Sequence, residues 1–184
     1  YDIVYKVGME FFYRFGLDGI RKISNAKKNI KIFLDLKLHD IPNTVKKSIK
    51  GLISLPIGMM TIHTSGGLEM MKAAKKAVAD TNIKIFGVTA LTSLSDADTS
   101  AIFKRTASNQ VKAMLDLAQE ARIDGVVCSP HELDLVVERK SLLSITPGIR
   151  LSESADDQSR VMTPKDAISK GADYIVIGRP ITNA

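Results

Sequence analysis

The chain has a single cysteine, Cys128, in 184 residues. No internal disulfide can form, so a reducing, cytoplasmic setting is expected. Runs of about 18 or more apolar residues are absent, so no segment reads as a membrane-spanning helix and no membrane partner is expected. The net charge is +6, yet the lysines are mixed with acidic residues. There is no arginine-rich arm and no aromatic residue interleaved with basic ones, the pattern that nucleic-acid binding would need. The densest basic group, Lys22, Lys27, Lys28 and Lys31, reads as a solvated helix end and loop, and nucleic acid is not an expected partner. No linker or low-complexity stretch divides the sequence, so residues 1–184 are expected to form one domain. An initiator methionine is also missing. Tyr1 opens straight into a strand-like run and Ala184 follows a strand and turn, so the sequence reads as part of a longer polypeptide.

What is present is an alternation of short β-rich runs with helical patterns, which implies βαβ units and a parallel sheet. Seven strands are expected: Ile3–Met9, Ile30–Leu38, Met59–Thr64, Ile83–Leu91, Gly125–Ser129, Leu142–Thr146 and Tyr174–Gly178. Helical patterns cover Asn43–Leu52, Gly67–Ala79 and Asn109–Arg122. In the last of these Val111, Met114, Leu115, Ala118 and Ala121 form one stripe. Thr163-Pro164-Lys165-Asp166 reads as a cap, a proline at the first helical position and an acidic first turn, with Gly171 closing the helix. Ser129-Pro130 opens another in the same way. An open doubly wound sheet would usually carry a glycine-rich phosphate turn after its first strand, and none is present. A (β/α)8 TIM barrel whose first β/α unit and C-terminal helix lie outside the sequence fits better.

The segment Lys31–Leu38 carries the most information. Side chains of a strand alternate between faces. Ile30, Ile32, Leu34, Leu36 and Leu38 therefore form one apolar row, and Lys31, Phe33, Asp35 and Lys37 share the other face. In a barrel that second face points inward, with Asp35 and Lys37 at the C-terminal end, where barrel active sites lie. Lys6, sharing parity with Val4 and Gly8 on the first strand, can point the same way. Asp40 lies just past the strand end. Two lysines and two aspartates alternating in sign exceed what a self-satisfying ion pair requires.

Asp35-Leu36-Lys37-Leu38-His39-Asp40-Ile41-Pro42-Asn43-Thr44 resembles the signature segment of the orotidine 5′-monophosphate decarboxylases. Further blocks resemble that family in the same order. They are Lys6-Val7-Gly8, Val88-Thr89-Ala90-Leu91-Thr92-Ser93, Thr146-Pro147-Gly148-Ile149-Arg150, Asp157-Gln158-Ser159-Arg160 and Gly178-Arg179-Pro180-Ile181-Thr182. The resemblance implies loss of CO₂ from C6 of orotidylate to give UMP, without metal or organic cofactor. It assigns Lys37 as cation and proton donor, Asp35 as neighbour of the departing carboxylate, and Lys6 as partner of Asp35 and of the ribose. Asp40 is implied to reach the partner subunit's site in a homodimer, and Ile41 and Thr44 are carried over as binding residues. Thr92, with Ser93 as second choice, would meet the pyrimidine. Gly178 and Arg179 would hold the phosphate, and residues Leu151–Arg160 would close over it through Gln158 and Arg150.

The histidines, His39, His63 and His131, show no metal-ligand spacing. His39 reads as structural, Cys128 as a small core residue, and Met59, Met60, Met70 and Met71 as core filling. Magnesium-dependent sugar-phosphate enzymes of the same superfamily share the D-x-K-x-x-D core. The Ile41-Pro42-Asn43-Thr44 continuation and Asp157-Gln158-Ser159-Arg160 favour orotidylate over those relatives and over a non-catalytic phosphate-binding barrel.

Overall fold

The computed structural model describes residues 3–26, 29–150 and 162–182. The chain packs into two compact units, residues 1–87 with 121–123, and residues 88–120 with 124–184.

In the first unit, strand β1 (Val4–Gly8) pairs in parallel with β2 (Lys31–Leu38), and β2 in parallel with β3 (Met59–His63). Strand β4 (Lys84–Val88) follows, the Lys84 N–H donating to the Gly58 carbonyl at 2.9 Å. Helices α1 (Met9–Ala26), α2 (Pro42–Leu52) and α3 (Gly67–Ala77) connect the strands. The strand order follows the chain order, each strand lying beside the one before it. Ile32, Leu34, Met60, Ile62 and Ile85 from the strands are fully buried with Ile49, Met70 and Met71 from the helices. All four methionines expected in the core are there. Pro42 starts α2 where its missing N–H costs nothing.

Helix α1 has no counterpart among the helices expected from periodicity. Phe11, Phe12, Tyr13 and Phe15 crowd one stretch, and Gly16 interrupts the helix with φ +58° and ψ −152°. That conformation is open to glycine and strained for other residues. The apolar residues of α1 nonetheless fall on one side at helical spacing along the whole stretch.

The second unit contains α4 (Asp96–Phe103), α5 (Ala107–Glu120), β5 (Gly125–Val127), α6 (Leu133–Val137), β6 (Leu143–Thr146), α7 (Pro164–Ser169), β7 (Tyr174–Ile175) and α8 (Arg179–Thr182). Strands β5, β6 and β7 are parallel and adjacent in chain order. The expected stripe on α5 is buried at every position, Val111, Met114, Leu115, Ala118 and Ala121. Thr163 caps α7 by accepting from Asp166 N–H at 3.2 Å, and Gly171, φ +91°, ends that turn. Ser129 caps the 3₁₀ turn Pro130–Glu132 with a reciprocal bond from Ser129 N–H to Glu132.

Helix α4 was not among the expected elements, although Ser95 and Asp98 form a capping box at its start. Its apolar positions have no one-sided pattern, so period alone does not reveal it. The seven expected strands are all present but shorter at their ends, the fourth by four residues and the last by three. It keeps regular pairing over Tyr174–Ile175 before Val176 N–H donates to the Thr146 carbonyl at 2.9 Å. Among the described residues no helix is long and apolar enough to cross a membrane.

Candidate active site

The charged face of β2 is organised around Asp35. Lys37 Nζ donates to both carboxylate oxygens at 2.8 Å, and Lys6 Nζ lies 3.3 Å from Oδ2. Thr61, on β3, donates its hydroxyl to Oδ1 at 2.9 Å. Asp35 is thus held from three adjacent strands at once. The register explains how Lys6 reaches it. Gly8, not Lys6, sits opposite Asp35, and a Cβ built on Gly8 would lie 3.3 Å from Lys6 Nζ. A side chain at that position would crowd the ammonium, so the glycine leaves Lys6 free to lean along the strand.

Burial by itself would push the Asp35 carboxyl up. The Lys37 hydrogen bond and charge, the Lys6 charge and the Thr61 hydroxyl outweigh it and hold the group below its ordinary value. Asp35 is 10% exposed at its side chain, against 37% for Lys6 and 26% for Lys37. The anion is desolvated while the cations keep part of their water. Two ammoniums against one carboxylate leave the trio with one excess positive charge, which favours an anionic ligand and a site where negative charge develops.

Asp40 is separate from this trio. It is exposed past the end of β2, and its Oδ1 accepts from the Ile41 N–H at 2.6 Å. Ile41 is 67% exposed, and Thr44 lies exposed in the first turn of α2. His39 and His63 end up together, their rings 5.2 Å apart. Burial, the His39 charge and the Lys37 charge lower the His63 pKa, against an opposing pull from Asp35. His63 is therefore neutral near pH 7. His131 lies exposed in the second unit.

The other expected binding residues belong to the second unit. Thr92 is half-buried and Ser93 exposed, in a turn closed by Leu94 N–H donating to the Leu91 carbonyl at 3.0 Å. Arg150 is buried at the end of a short parallel bridge between Ile149 and Met162, and its Nη1 donates to the Ile149 carbonyl at 3.0 Å. Gly178 is exposed, with open space where a Cβ would stand, and its carbonyl accepts from Ile181 and Thr182 N–H at 2.8 and 3.1 Å. Arg179 begins α8. Gln158 and the rest of the expected closing loop, Leu151–Arg160, lie outside the described residues.

Residues 1–184 match the sequence model of the orotidine 5′-phosphate decarboxylase / HUMPS family. The chain belongs to that family. It is 48% identical over 180 residues to the orotidine 5′-phosphate decarboxylase of Ehrlichia canis, covering 96% of this chain and 78% of that one. The corresponding Wolbachia pipientis protein is 47% identical over 182 residues, covering 97% of this chain and 80% of its own. The crystal structure of orotidine 5′-phosphate decarboxylase from Lactobacillus acidophilus aligns with a TM-score of 0.82 at 39% identity. That match spans 97% of this chain and 79% of that one. The fold class is accordingly the (β/α) barrel type of this family.

For a chain of the orotidine 5′-phosphate decarboxylase / HUMPS family, the structure adds two residues that the sequence pattern did not single out, Gly8 and Thr61. Gly8 stands in the Lys6-Val7-Gly8 block without a role read for it, Thr61 belongs to no block that resembles the family, and both matter through what lies on the neighbouring strand. Cys128 is buried, and desolvation together with the Glu132 charge pushes its thiol up to about 12, so it is protonated and inert. Among the described residues no group of three or more His, Cys, Asp or Glu side chains is disposed to hold a metal ion.

Proposed function

We propose that this protein decarboxylates orotidine 5′-phosphate to UMP in pyrimidine biosynthesis, as one catalytic domain in a cytoplasmic homodimer and without metal or organic cofactor. The observation that carries the reading is the Lys6–Asp35–Lys37 cluster. Asp35 and Lys37 stand inside a segment that resembles the family's signature, in a chain with relatives of that name at 41–48% identity.

The chemical difficulty is the electron pair left on C6 when the bond to the carboxylate carbon breaks. The Lys37 ammonium, fixed by Asp35 before substrate arrives, stabilises that developing charge without reorganising. It then donates its proton to C6 as CO₂ departs, and the neutral amine regains a proton from water. Asp35 lies where like charge disfavours the bound carboxylate. Lys6 keeps Asp35 ionised and contacts the ribose. The pyrimidine is met by Thr92 or Ser93, and the phosphate by Arg150, Gln158 and the Gly178–Arg179 backbone. Asp40, with Ile41 and Thr44, serves the partner subunit's site. Its exposure, and its separation from the trio of its own chain, supports that placement.

The test is an absorbance assay of orotidylate loss with and without EDTA. Turnover is expected to survive the chelator and to fall by about 10³-fold or more in Lys37→Ala, with the circular dichroism spectrum unchanged. Activity that disappears with EDTA, or a Lys37→Ala variant that turns over normally, overturns the reading.

A further inference from the structure

Thr61 is the third residue of β3 and is fully buried, among Met59, Met60 and Ile62, all buried and apolar. Its hydroxyl oxygen accepts from the backbone N–H of Lys37 at 2.9 Å and its proton goes to Asp35 Oδ1 at 2.9 Å. The directions are forced, because an amide can only donate and an ionised carboxylate can only accept. One hydroxyl therefore grips the backbone of one charged residue and the side chain of the other.

The backbone it grips is unusual. Lys37 has φ +51°, a conformation that non-glycine residues avoid, and the β2–β3 register shifts between Leu34 and Leu38. In a regular strand, residues two apart project side by side, roughly 6.5 Å from each other along the strand. Here the irregular backbone accompanies Lys37 Nζ folded back onto both oxygens of Asp35 at 2.8 Å. A regular ladder would offer the Lys37 amide to a main-chain carbonyl. Instead the amide goes to Thr61.

We infer that Thr61 is a positioning residue for the decarboxylation, its single hydroxyl setting both the backbone turn that aims Lys37 and the orientation of the Asp35 carboxylate. This rests on the function proposed above. A hydroxyl in an otherwise apolar stretch is costly unless bonded, and both bonds made here go to the two residues at the centre of the chemistry. Valine would fill the same space without that cost.

The groups facing Asp35 are Lys6 from β1, Lys37 from its own strand and Thr61 from β3; His63, at the end of β3, feels the Asp35 charge and has the His39 ring tilted against it. Thr61 is one of the groups lowering the Asp35 pKa, so its removal should raise it.

The experiment compares Thr61→Val with Thr61→Ser by steady-state kinetics across pH and by carboxyl ¹³C NMR titration of Asp35 in substrate-free protein. Thr61→Val is expected to lower kcat by about 10- to 100-fold while KM stays within about threefold, and to move the Asp35 titration to higher pH. Thr61→Ser keeps the hydroxyl and should restore both to near the parent. A Thr61→Val protein with parental kcat and an unmoved Asp35 titration overturns the inference, as does a serine variant as impaired as the valine one. If the valine variant does not fold, Thr61→Ala takes its place under the same outcomes. Should the parent protein not consume orotidine 5′-phosphate, the functional reading fails, and the Asp35 titrations still decide the role of Thr61.

Discussion

Two carboxylates, one in each unit, are held by nearly the same hydrogen-bond pattern. Thr61 accepts from a main-chain amide and donates to Asp35, and Ser144 accepts from Asp173 N–H at 2.9 Å and donates to Asp173 Oδ2 at 3.0 Å. Ser144 N–H adds a further bond to the same oxygen at 2.8 Å. The difference lies in place and in charge. Asp173 is exposed and precedes β7, while Ser144 is near the start of β6, so this bracket joins strands at their N-terminal ends. Asp35 is buried, faces two ammoniums and stands toward the C-terminal end of β2. In β/α folds the C-terminal ends carry chemistry and the opposite ends carry stability. One local device serves two purposes because its surroundings differ.

The largest effect that could break this contrast concerns the dimer. Lys37→Ala and Asp40→Ala should each lose about 10³-fold or more in turnover. Mixed in equal amounts under conditions that exchange subunits, they should recover about one quarter of the parental activity, since half the dimers carry one intact site. If mixing returns nothing, sites shared between subunits are ruled out. A smaller effect belongs to the second bracket. Ser144→Ala should cost about 1–2 kcal/mol in urea unfolding while kcat and KM stay at parental values. Lost activity at unchanged stability would erase the division between the two ends of the strands.

The smallest effect is in pH dependence. Asp35 titrates lower in the folded protein than the ordinary 3.8. Its contribution to stability is complete above that ordinary value and is lost as pH falls through the lower folded one. His63 is also lowered, from 6.5. The unfolded chain takes up that proton first, so stability falls as pH drops below about 6.5 and levels off beneath the folded value. Urea midpoints between pH 7.5 and 5 should slope in the parent and flatten in His63→Gln, whereas Asp35→Asn should leave that range alone and flatten only the slope measured below about pH 4. Identical slopes in all three proteins would remove the electrostatic distinction drawn for the first unit.

Much of the first unit was legible in one dimension. Alternation along Lys31–Leu38 placed Asp35 and Lys37 on one face, and parity on β1 added Lys6. The stripe on α5 and the caps at Thr163 and Ser129 were equally readable, because each depends on residues three or four apart. Helix α1 was legible too, since its apolar residues keep to one side at helical spacing through the break at Gly16. Ser95 and Asp98 carried a readable signal for α4 that the apolar pattern did not support. Thr61 offered no signal at all, since its significance comes from a strand about 25 residues away and from a backbone conformation at Lys37 that no local pattern announces.

By itself the sequence determined the order of strands and helices, the apolar and charged faces of β2 and the family to which the chain belongs. Those depend on side-chain periodicity and on residues adjacent in the chain. Only the tertiary structure decided how the charges are held. The register put Gly8 rather than Lys6 opposite Asp35, and the left-handed turn at Lys37 brought its ammonium back over the carboxylate. Thr61 was delivered to both by a neighbouring strand. Hydrogen bonds and ion pairs act over about 3 Å in space, and which groups come that close is settled by strand pairing rather than by distance along the chain.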